Sequence, residues 1–558
     1  MSELLAALSV VFVAAGVFLL VANQLRLPSV PFLILAGLVA GLFIDEEVTL
    51  DLAQYGIAFL VFTFGARLDF STVENVLRDG EVAALSQFVV TGGLGLGAGI
   101  LLGFDVRSAV YLGVATALSS TIIGTGLLQP EIRENLVHGR LAEAIHFVQD
   151  VFAIVLLLML STEVFTVDAV ALKLGYGVML FAAAIVINRY VYDLMSRFAE
   201  GSDELLLVGS IAVLVGFLAA AELLGVSIAV GAFAAGLAIT RDTSQNLGVL
   251  NGLESIKDFF VAVFFVTLGA LVTIPQDVTL LTTGVLILLT AVVKPAVTTA
   301  VLLFEGYEAR SATLASLSLD QVSEFALIIA IQAFLVGTLS QGLFEAIILA
   351  AAVTMITSSL TRRNDERIYR LLDRTGLLPD QHEQTDAQSS VPDDLTDHVV
   401  IVGYGRQGRR LVAACETTDA PYVVIENDPS MLDPLSDSCE AYVFGDAMES
   451  YPWSKASVTD ARLVVSTVDQ GRVSEHILSL DTDADIVLRA ATATEATELL
   501  DAGATYVNVP DLLASDRLVE HVEALATGET TPEGLRRRHL DELDDLRATG
   551  FDSMREII

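Results

Sequence analysis

The sequence predicts a mainly α-helical membrane domain with thirteen transmembrane helices, followed by a soluble α/β domain with a doubly wound parallel sheet. The first observation is a series of hydrophobic segments that fills residues 4–360. The second is charge: the chain is 53% hydrophobic, yet its formal net charge is −38. Residues 381–558 hold 35 Asp and Glu against 13 Lys and Arg, so most of the excess negative charge lies in the last third. These opposed compositions indicate two domains in different environments.

The hydrophobic segments are long enough to cross a bilayer, which takes about 20 apolar residues. They run over residues 4–22, 28–43, 52–69, 80–103, 108–129, 138–160, 169–189, 203–222, 225–240, 256–273, 279–304, 310–334 and 342–360. If the N-terminus lies outside, the outer loops between spans hold only Arg107 and Lys173, whereas the inner loops hold most of the basic residues. The positive-inside rule then places the soluble domain in the cytosol of a multi-pass plasma-membrane protein.

Four regions follow from these boundaries. The membrane domain is predicted over residues 1–362, a polar linker over 363–396, the α/β domain over 397–512 and an acidic helical tail over 513–558. The chain has four lysines, and an acid-rich, lysine-poor composition favours a high-salt cytosol. The sequence therefore predicts a halophilic host, with a halophilic archaeon as the expected source, although an ordinarily acidic protein remains the alternative.

Short apolar strands alternate with helical stretches after the linker. They are predicted at His398–Val402, Tyr422–Ile425, Ala441–Phe444, Arg462–Ser466, Asp485–Leu488 and Tyr506–Val509. This alternation is typical of a parallel doubly wound sheet, the Rossmann-like arrangement.

The turn after the first strand predicts a nucleotide-binding site. It contains Gly403, Gly405 and Gly408, which permit a tight turn and let the backbone approach a phosphate at a helix N-terminus. Glu426 ends the second strand, where a ribose hydroxyl would bind, so NAD(H) or AMP fits better than NADP. A purely structural glycine turn is the alternative. Further candidate contacts lie in the same turn and at later strand ends: Arg406, Gln407, Asp446, Ser466 and Arg489.

The sixth hydrophobic segment carries an acid near its middle, Asp150, next to Gln149. An ionisable group at membrane depth is rare and predicts a transport site. A carboxylate can hold a proton or a dehydrated monovalent cation, but not both at once. If it is exposed to each side in turn, it exchanges one for the other.

The whole chain resembles Kef-type members of the monovalent cation:proton antiporter-2 family, joined to a regulator-of-potassium-conductance (TrkA-N, Rossmann) domain. The motifs that carry the resemblance are Val399–Gly408, Glu426, Gly445-Asp446-Ala447, Ala117-Leu118-Ser119-Ser120-Thr121, Phe147-Val148-Gln149-Asp150, Gly225–Gly236, Lys294, Gln321 and Glu324-Phe325. The resemblance implies a nucleotide-regulated K⁺ or Na⁺/proton antiporter, not an enzyme, that forms a homodimer and binds no nucleic acid. It also implies that Lys294 hydrogen-bonds or neutralises Gln149 and Asp150. With Gln149 in place of a second acid, one-for-one, electroneutral exchange is expected.

Segments five and twelve are predicted to be broken helices that run in opposite directions, as inverted repeats require. Their unwound backbone would line the cation site, although the serines and threonines could instead bond back within unbroken helices. The predicted transport-site residues are Asp150, Gln149, Lys294, Ser119, Ser120, Thr121, Glu324 and Gln321. His146, one turn before Asp150, is a pH-sensing candidate or a packing residue.

Other functions remain open. A ligand-gated potassium channel would need a TVGYG-like filter, and Thr91-Gly92-Gly93-Leu94-Gly95 matches it poorly. A membrane-tethered dehydrogenase would need a catalytic domain after the nucleotide fold. Potassium is favoured over sodium as the transported cation, because the Gln-Asp pair resembles potassium-handling members.

Overall fold

A computed structural model describes the chain apart from residues 1, 68–69, 134–135, 161–166, 193–201, 240–246, 274–276, 379–382, 393–394 and 549–558. The chain forms two compact units. The membrane unit comprises Met1–Arg133, His138–Glu305 and Ala309–Asp380, and the α/β unit comprises Gln381–Ile558 with the short segments Glu134–Val137 and Gly306–Glu308.

All regular secondary structure in the described residues of the membrane unit is helical. Its first helices are α1 Ser2–Leu25, α2 Ser29–Ala40, α3 Glu46–Arg67, α4 Phe70–Leu101, α5 Val106–Ala117, α6 Thr121–Leu127, α7 Gln129–Arg133, α8 Val137–Leu160 and α9 Val167–Val186. Those that follow are α10 Asp203–Leu223, α11 Ile228–Ile239, α12 Leu247–Ala270, α13 Asp277–Leu288, α14 Lys294–Phe304, α15 Ala309–Leu317, α16 Glu324–Leu335 and α17 Gln341–Arg374. Two π-helical segments, Ile187–Tyr192 and Leu289–Val293, follow α9 and α13.

Nine stretches of the described residues are long and apolar enough to cross a membrane. The apolar helices α2, α11 and α16 have only 12 residues each. The number thirteen therefore stays a prediction, whereas a multi-span helical membrane domain is confirmed.

Glycines allow close packing of the short helices. A methyl group added at Gly269 of α12 would collide with the Ile34 carbonyl of α2, and one added at Gly236 of α11 would collide with the Phe62 carbonyl of α3. Small residues at such crossings let helix backbones approach closely, which gives association through dispersion contacts within a bilayer.

Segments five and twelve are broken, as predicted. Segment five divides into α5 and α6 around Leu118–Ser120, and segment twelve divides into α15 and α16 around residues 318–323. A serine hydroxyl caps each second half: Ser120 accepts from the N–H of Ile123 (3.2 Å), and Ser323 accepts from that of Phe325 (3.0 Å). These serines satisfy N–H groups that a helix start leaves free, so the polar residues support the breaks rather than bonding back within unbroken helices.

Segment eleven is not a regular helix throughout. The π-helical segment Leu289–Val293 precedes Lys294 and Pro295 at the start of α14. Proline has no N–H and clashes with the preceding turn, and a π-helical turn absorbs that disturbance. Lys294 is thereby placed at a local irregularity in the membrane.

The predicted linker contains regular secondary structure. Helix α17 continues to Arg374, so residues 363–374 are helical. A short helix, α18 (Glu383–Ala387), follows, and Ser390 forms an antiparallel bridge with Tyr442 through two backbone hydrogen bonds of 2.9 and 2.7 Å. The polar composition concealed this bridge, because backbone pairing at a sheet edge needs no apolar side chain.

The α/β unit has the predicted parallel doubly wound sheet. Its strands are β1 His398–Val402, β2 Tyr422–Glu426, β3 Tyr442–Phe444, β4 Ala461–Ser466, β5 Asp485–Arg489 and β6 Tyr506–Asn508, in the order β3-β2-β1-β4-β5-β6. Its helices after α18 are α19 Arg406–Thr418, α20 Leu432–Ser438, α21 Ser450–Lys455, α22 Gly471–Leu478, α23 Ala493–Asp501, α24 Pro510–Ala526 and α25 Pro532–Ala548. Strand order reverses between β1 and β4, where ligands of such sheets bind.

Candidate functional site

The unwound segments of the two broken helices contact each other. The hydroxyl of Ser119 donates to the carbonyl of Leu319 (3.1 Å), and the amide of Gln321 donates to the carbonyl of Ser120 (3.1 Å). The Gln321 side chain also accepts from Ser358 of α17 (3.1 Å). The structure thus brings Ser119, Ser120 and Gln321 together, and these hydrogen bonds stabilise the crossing of the two unwound segments.

The start of α6 contacts two buried carboxyl groups, those of Asp150 on α8 and of Glu324, the first residue of α16. The hydroxyl of Thr121, the first residue of α6, donates to Oδ1 and Oδ2 of Asp150 at 2.9 and 2.8 Å. The next N–H, of Ile122, donates to Oε1 of Glu324 (3.1 Å). Partial positive charge at helix starts favours carboxylates there.

Asp150 and Glu324 form a pair of acids. They interact electrostatically, and their residues are only 3% and 4% exposed. Among the described residues, Thr121 is the single hydrogen-bond donor to Asp150, and Oε2 of Glu324 has no partner. Carboxylate oxygens with unused acceptor capacity can coordinate a cation or bind a proton.

The ammonium of Lys294 is surrounded by oxygen atoms that carry negative or partial negative charge. Its ammonium donates to the carbonyls of Leu118 (3.1 Å) and Gln321 (2.8 Å), one from each unwound segment. The fully buried amine also interacts electrostatically with Asp320. Carbonyl groups freed at a helix break attract a cation.

The implied hydrogen bonds from Lys294 to Gln149 and Asp150 are therefore wrong for the described residues, because its ammonium donates to the two carbonyls, whereas neutralisation of Asp150 stays a prediction. The carboxyl group of Asp320 supplies the countercharge.

Gln149 is held by a structural network rather than directed at the acids. Its Oε1 accepts from the N–H of Ser119 (2.7 Å), and its Nε2 donates to Oε1 of Gln87 on α4 (2.7 Å). Gln87 in turn donates to Thr91 (2.8 Å) and to the carbonyl of Ala117 (3.1 Å). Gln149 therefore positions the unwound part of segment five, and its role as an ion ligand stays a prediction.

The sequence analysis missed Gln87. Its signal was a polar amide within an apolar membrane segment, a pattern that indicates a partner inside the bundle.

Substitution of Gln149 by glutamate should destabilise the membrane unit. An ionised glutamate cannot donate to Gln87, so two acceptor oxygens would face each other in a buried site. We expect a loss of about 1–3 kcal/mol in the free energy of unfolding, seen as a lower thermal unfolding midpoint in detergent. Gln129→Glu on the exposed surface of α7 is the matched control. Equal midpoints for Gln149→Glu and the wild type would contradict this assignment.

His146 packs against the half-helix α6. Its Nδ1 lies 2.7 Å from the carbonyl of Ala142, and its Nε2 has no hydrogen-bond partner among the described residues. A methyl group added at Gly124 would collide with this ring nitrogen. The geometry supports the packing role, and pH sensing stays a prediction.

The glycine turn after β1 has the geometry of a phosphate-binding loop. Gly403 adopts a positive φ of 91°, and α19 starts at Arg406 after Gly405 without a side-chain cap. A methyl group at Gly408 would collide with the Gly403 carbonyl, so α19 packs closely on the turn. Arg406 is exposed and Gln407 half-buried at this helix start, where uncapped N–H groups suit an anion.

The remaining predicted nucleotide contacts lie at strand ends. Oε2 of Glu426 accepts from the N–H of Tyr404 (2.6 Å), and its Oε1 accepts from those of Asn427 and Asp428 (2.7 and 2.8 Å). Burial raises the pKa of this carboxyl, although the three N–H groups oppose the shift. Glu426 thus already fixes the glycine turn within the unit.

The other strand-end residues have mixed roles. Ser466, beside the switch point, is buried, and its hydroxyl has no hydrogen-bond partner in the described part of the chain. Arg489 donates to the carbonyl of Thr467 (3.3 Å) and pairs with Asp469 at 3.8 Å. Asp446 accepts from the N–H of Met448 (2.9 Å), a bond that shapes its own loop. In the described residues, the hydroxyl of Ser466 and the Nε of Arg489 are the buried side-chain atoms of this group without a hydrogen-bond partner.

Two crossed broken helices around buried acids define a class of membrane ion exchangers, here with a nucleotide-type fold in the same chain. The model for "Sodium/hydrogen exchanger, transmembrane" matches residues 8–363, and that for the TrkA-N domain matches residues 399–510. The first match covers more than half of the chain. The chain therefore belongs to the sodium/hydrogen exchanger family, as a Kef-type member with a C-terminal TrkA-N domain.

Several known proteins are similar along the chain. The putative cation/proton antiporter YbaL of Escherichia coli (strain K12) is 26% identical over 546 residues, which cover 93% of this chain and 97% of that protein. The glutathione-regulated potassium-efflux system protein KefC of Enterobacter sp. (strain 638) is 26% identical over 478 residues, covering 82% and 74%. The solved TrkA-N domain of the E. coli inner membrane protein ybaL is 27% identical, covers 23% of this chain and 97% of that chain, and has a TM-score of 0.22.

Proposed function

We propose that this protein exchanges a monovalent cation for a proton through alternating exposure of Asp150 to the two sides of the membrane. The observation that carries the proposal is the buried Asp150 carboxylate, to which Thr121 is the one hydrogen-bond donor in the described residues, beside Oε2 of Glu324. A cation would displace the proton because both need the same oxygens. Exchange is tested in vesicles with an internal pH dye: a potassium or sodium gradient should move protons, whereas cation flux without proton movement would indicate a channel.

The second acid bears on stoichiometry. Two neighbouring carboxylates cannot both ionise without mutual repulsion, so we propose that Asp150 and Glu324 together hold one proton when no cation is bound. If the pair releases this one proton for each monovalent cation that it binds, the exchange is one-for-one and electroneutral. A transport rate that follows the membrane voltage would exclude it.

We propose potassium as the preferred cation. The support is the similarity to a protein named as a potassium-efflux system, together with the acid-rich, lysine-poor composition that fits a potassium-rich, high-salt cytosol. A halophilic archaeal source and an external N-terminus belong to the same proposal. Parallel assays with potassium and sodium decide the preference, and higher exchange with sodium would reverse it.

We propose that AMP or NAD(H) binds the glycine turn and regulates exchange. The support is the uncapped start of α19 together with the free hydroxyl of Ser466 on the other side of the switch point. No hydride-transfer chemistry is assigned to the bound nucleotide. Vesicle exchange with and without AMP or NADH measures the direction of regulation.

Two glycine substitutions separate binding from folding. An alanine methyl group at Gly405 meets no atom within 4 Å, and its φ of −69° suits alanine, whereas one at Gly408 collides with Gly403. We expect Gly405→Ala to weaken nucleotide binding about tenfold or more, because the phosphate loses backbone hydrogen bonds. Gly408→Ala should instead unfold the α/β unit at a lower temperature. The single tryptophan, Trp453, is buried in this unit, so its fluorescence reports this transition.

The control in this pair is internal. A loss of nucleotide binding by Gly405→Ala supports the proposed site only if this variant shows the same thermal transition of Trp453 fluorescence as the wild type. Unchanged nucleotide affinity in Gly405→Ala would contradict the proposed site.

We propose that the protein is a homodimer. Helix α24 has no buried residue, and its exposed large apolar side chains are Leu512, Leu513, Leu518, Val519, Val522 and Leu525. An apolar helix surface of this kind favours a protein contact. The molar mass of the detergent-solubilised protein, measured by light scattering, should correspond to two chains; one chain would reject the dimer.

A further inference from the structure

A cavity of about 400 Å³ lies in the membrane unit between the start of α2, the half-helix α6 and the later part of α17. Its wall includes Arg26, Arg362 and Arg363, together with Ser359. Much of the remaining wall is apolar. The acids Asp150 and Glu324 are not part of this wall, but Ile122, whose N–H donates to Glu324, is, so the cavity borders the proposed exchange site.

The three arginines differ in what they bind. Arg362 pairs with Glu131 and Asp365 and donates to the carbonyl of Leu127 (3.3 Å), so acids already balance its charge. Arg363 donates to the backbone carbonyl of Arg26. Within the described part of the chain, the guanidinium of Arg26 has neither a hydrogen bond nor an ion pair. Positive charge therefore remains available at Arg26 and Arg363.

The start of α2 adds backbone donors to the same wall. This helix begins after Pro28 without a side-chain cap, and its first residues, Ser29 and Val30, line the cavity. The first N–H groups of a helix have no partner within the helix, and they carry partial positive charge. The helix start therefore favours an anion here.

Ser359 gives an independent indication of a ligand. This residue of α17 is 3% exposed and lines the cavity, and its buried hydroxyl has no hydrogen-bond partner among the described residues. A buried hydroxyl without a partner is costly unless a ligand or water satisfies it. Ser359 therefore adds a neutral hydrogen-bond donor to the cavity that Arg26, Arg363 and the start of α2 also line.

We propose that this cavity binds a phosphate group, carried by an anionic lipid headgroup or by a free phosphate ion. Arg26 and Arg363 would neutralise the anion, while the α2 N–H groups and the Ser359 hydroxyl donate hydrogen bonds. The same charges oppose entry of a metal cation through the cavity. A bound phosphate would join α2 to α6 and α17, and α6 begins with Thr121, the residue that holds Asp150.

The test uses the full-length protein, delipidated in detergent, with radiolabelled phosphatidylglycerol in mixed micelles and, separately, radiolabelled inorganic phosphate. We expect saturable binding of at least one probe. Arg26→Gln should weaken it about tenfold, because a charge-assisted hydrogen bond is lost, and Ser359→Ala about threefold. Arg370→Gln, an exposed arginine of α17 outside the cavity wall, is the matched control and should bind as the wild type does.

Each result has a defined meaning. Saturable phosphatidylglycerol binding without phosphate binding identifies a lipid headgroup, and phosphate binding identifies a free anion as sufficient. The proposal is overturned if neither probe binds, if Arg26→Gln and Ser359→Ala both bind as the wild type does, or if Arg370→Gln weakens binding as much as Arg26→Gln. Thermal unfolding midpoints confirm that the compared variants are folded.

Discussion

Replacement of Asp150 by asparagine should reduce cation/proton exchange to the level of protein-free vesicles. The amide keeps the size of the side chain, but it neither binds and releases a proton nor offers a negative charge to a cation. Thr121 can still donate to its oxygen, so the crossing of the broken helices should persist. Dequenching of an internal pH dye after a potassium pulse measures the loss.

Two controls accompany this variant. Asp105→Asn changes an acid of the same type at the exposed start of α5, where asparagine also caps a helix, and it should exchange like the wild type. The fluorescence transition of Trp453 should be the same in both variants, because that residue belongs to the α/β unit. Exchange retained by Asp150→Asn would remove the basis of the mechanism.

Replacement of Lys294 by methionine should produce the largest loss of stability. Methionine preserves much of the side-chain length, but it leaves the carbonyls of Leu118 and Gln321 without their donor and Asp320 without its countercharge. Breaking a buried charge interaction from one side costs about 3–5 kcal/mol. We expect a markedly lower thermal unfolding midpoint in detergent and little folded protein.

The same substitution at a lysine that is not fully buried provides the comparison. Lys173 is half-buried and donates to one carbonyl, that of Gly225, so Lys173→Met should shift the midpoint much less. If both variants unfold at the same temperature, Lys294 does not stabilise the contact between the two unwound segments. A stable Lys294→Met protein that lacks exchange would instead indicate a direct role in ion binding.

Much of the α/β unit could be predicted from local sequence. Its strands are short apolar runs, and the observed strands begin or end within a residue of the predicted ones, as for β1 and β4. The glycine spacing predicted the turn that Gly403 and Gly408 form. These features depend on neighbouring residues, so periodicity and turn chemistry are sufficient.

The breaks in segments five and twelve were also predictable, because Ser120 and Ser323 are residues that cap helices. The hydrogen-bond partners that meet across each break were not predictable from the sequence. Lys294 could have bonded any acid or carbonyl at its depth, and only the three-dimensional crossing brings Leu118 and Gln321 to its ammonium. The network from Gln149 to Gln87 likewise joins α8 to α4 over 62 positions of sequence.

Element lengths were the least predictable feature. Hydrophobic composition ends near residue 360, but the helix of α17 continues to Arg374, because charged residues such as Arg367 and Arg370 are good helix formers in water. Composition reports where a bilayer ends, whereas backbone hydrogen bonding decides where a helix ends.

Competition between a proton and a cation for Asp150 can be measured directly as proton release. Unbuffered, detergent-solubilised protein receives potassium chloride at matched ionic strength, with choline chloride as the reference, and a pH indicator records the protons released per chain. The account predicts close to one proton for the wild type and none for Asp150→Asn. Potassium binding by the wild type without proton release, or equal release by Asp150→Asn, would contradict it.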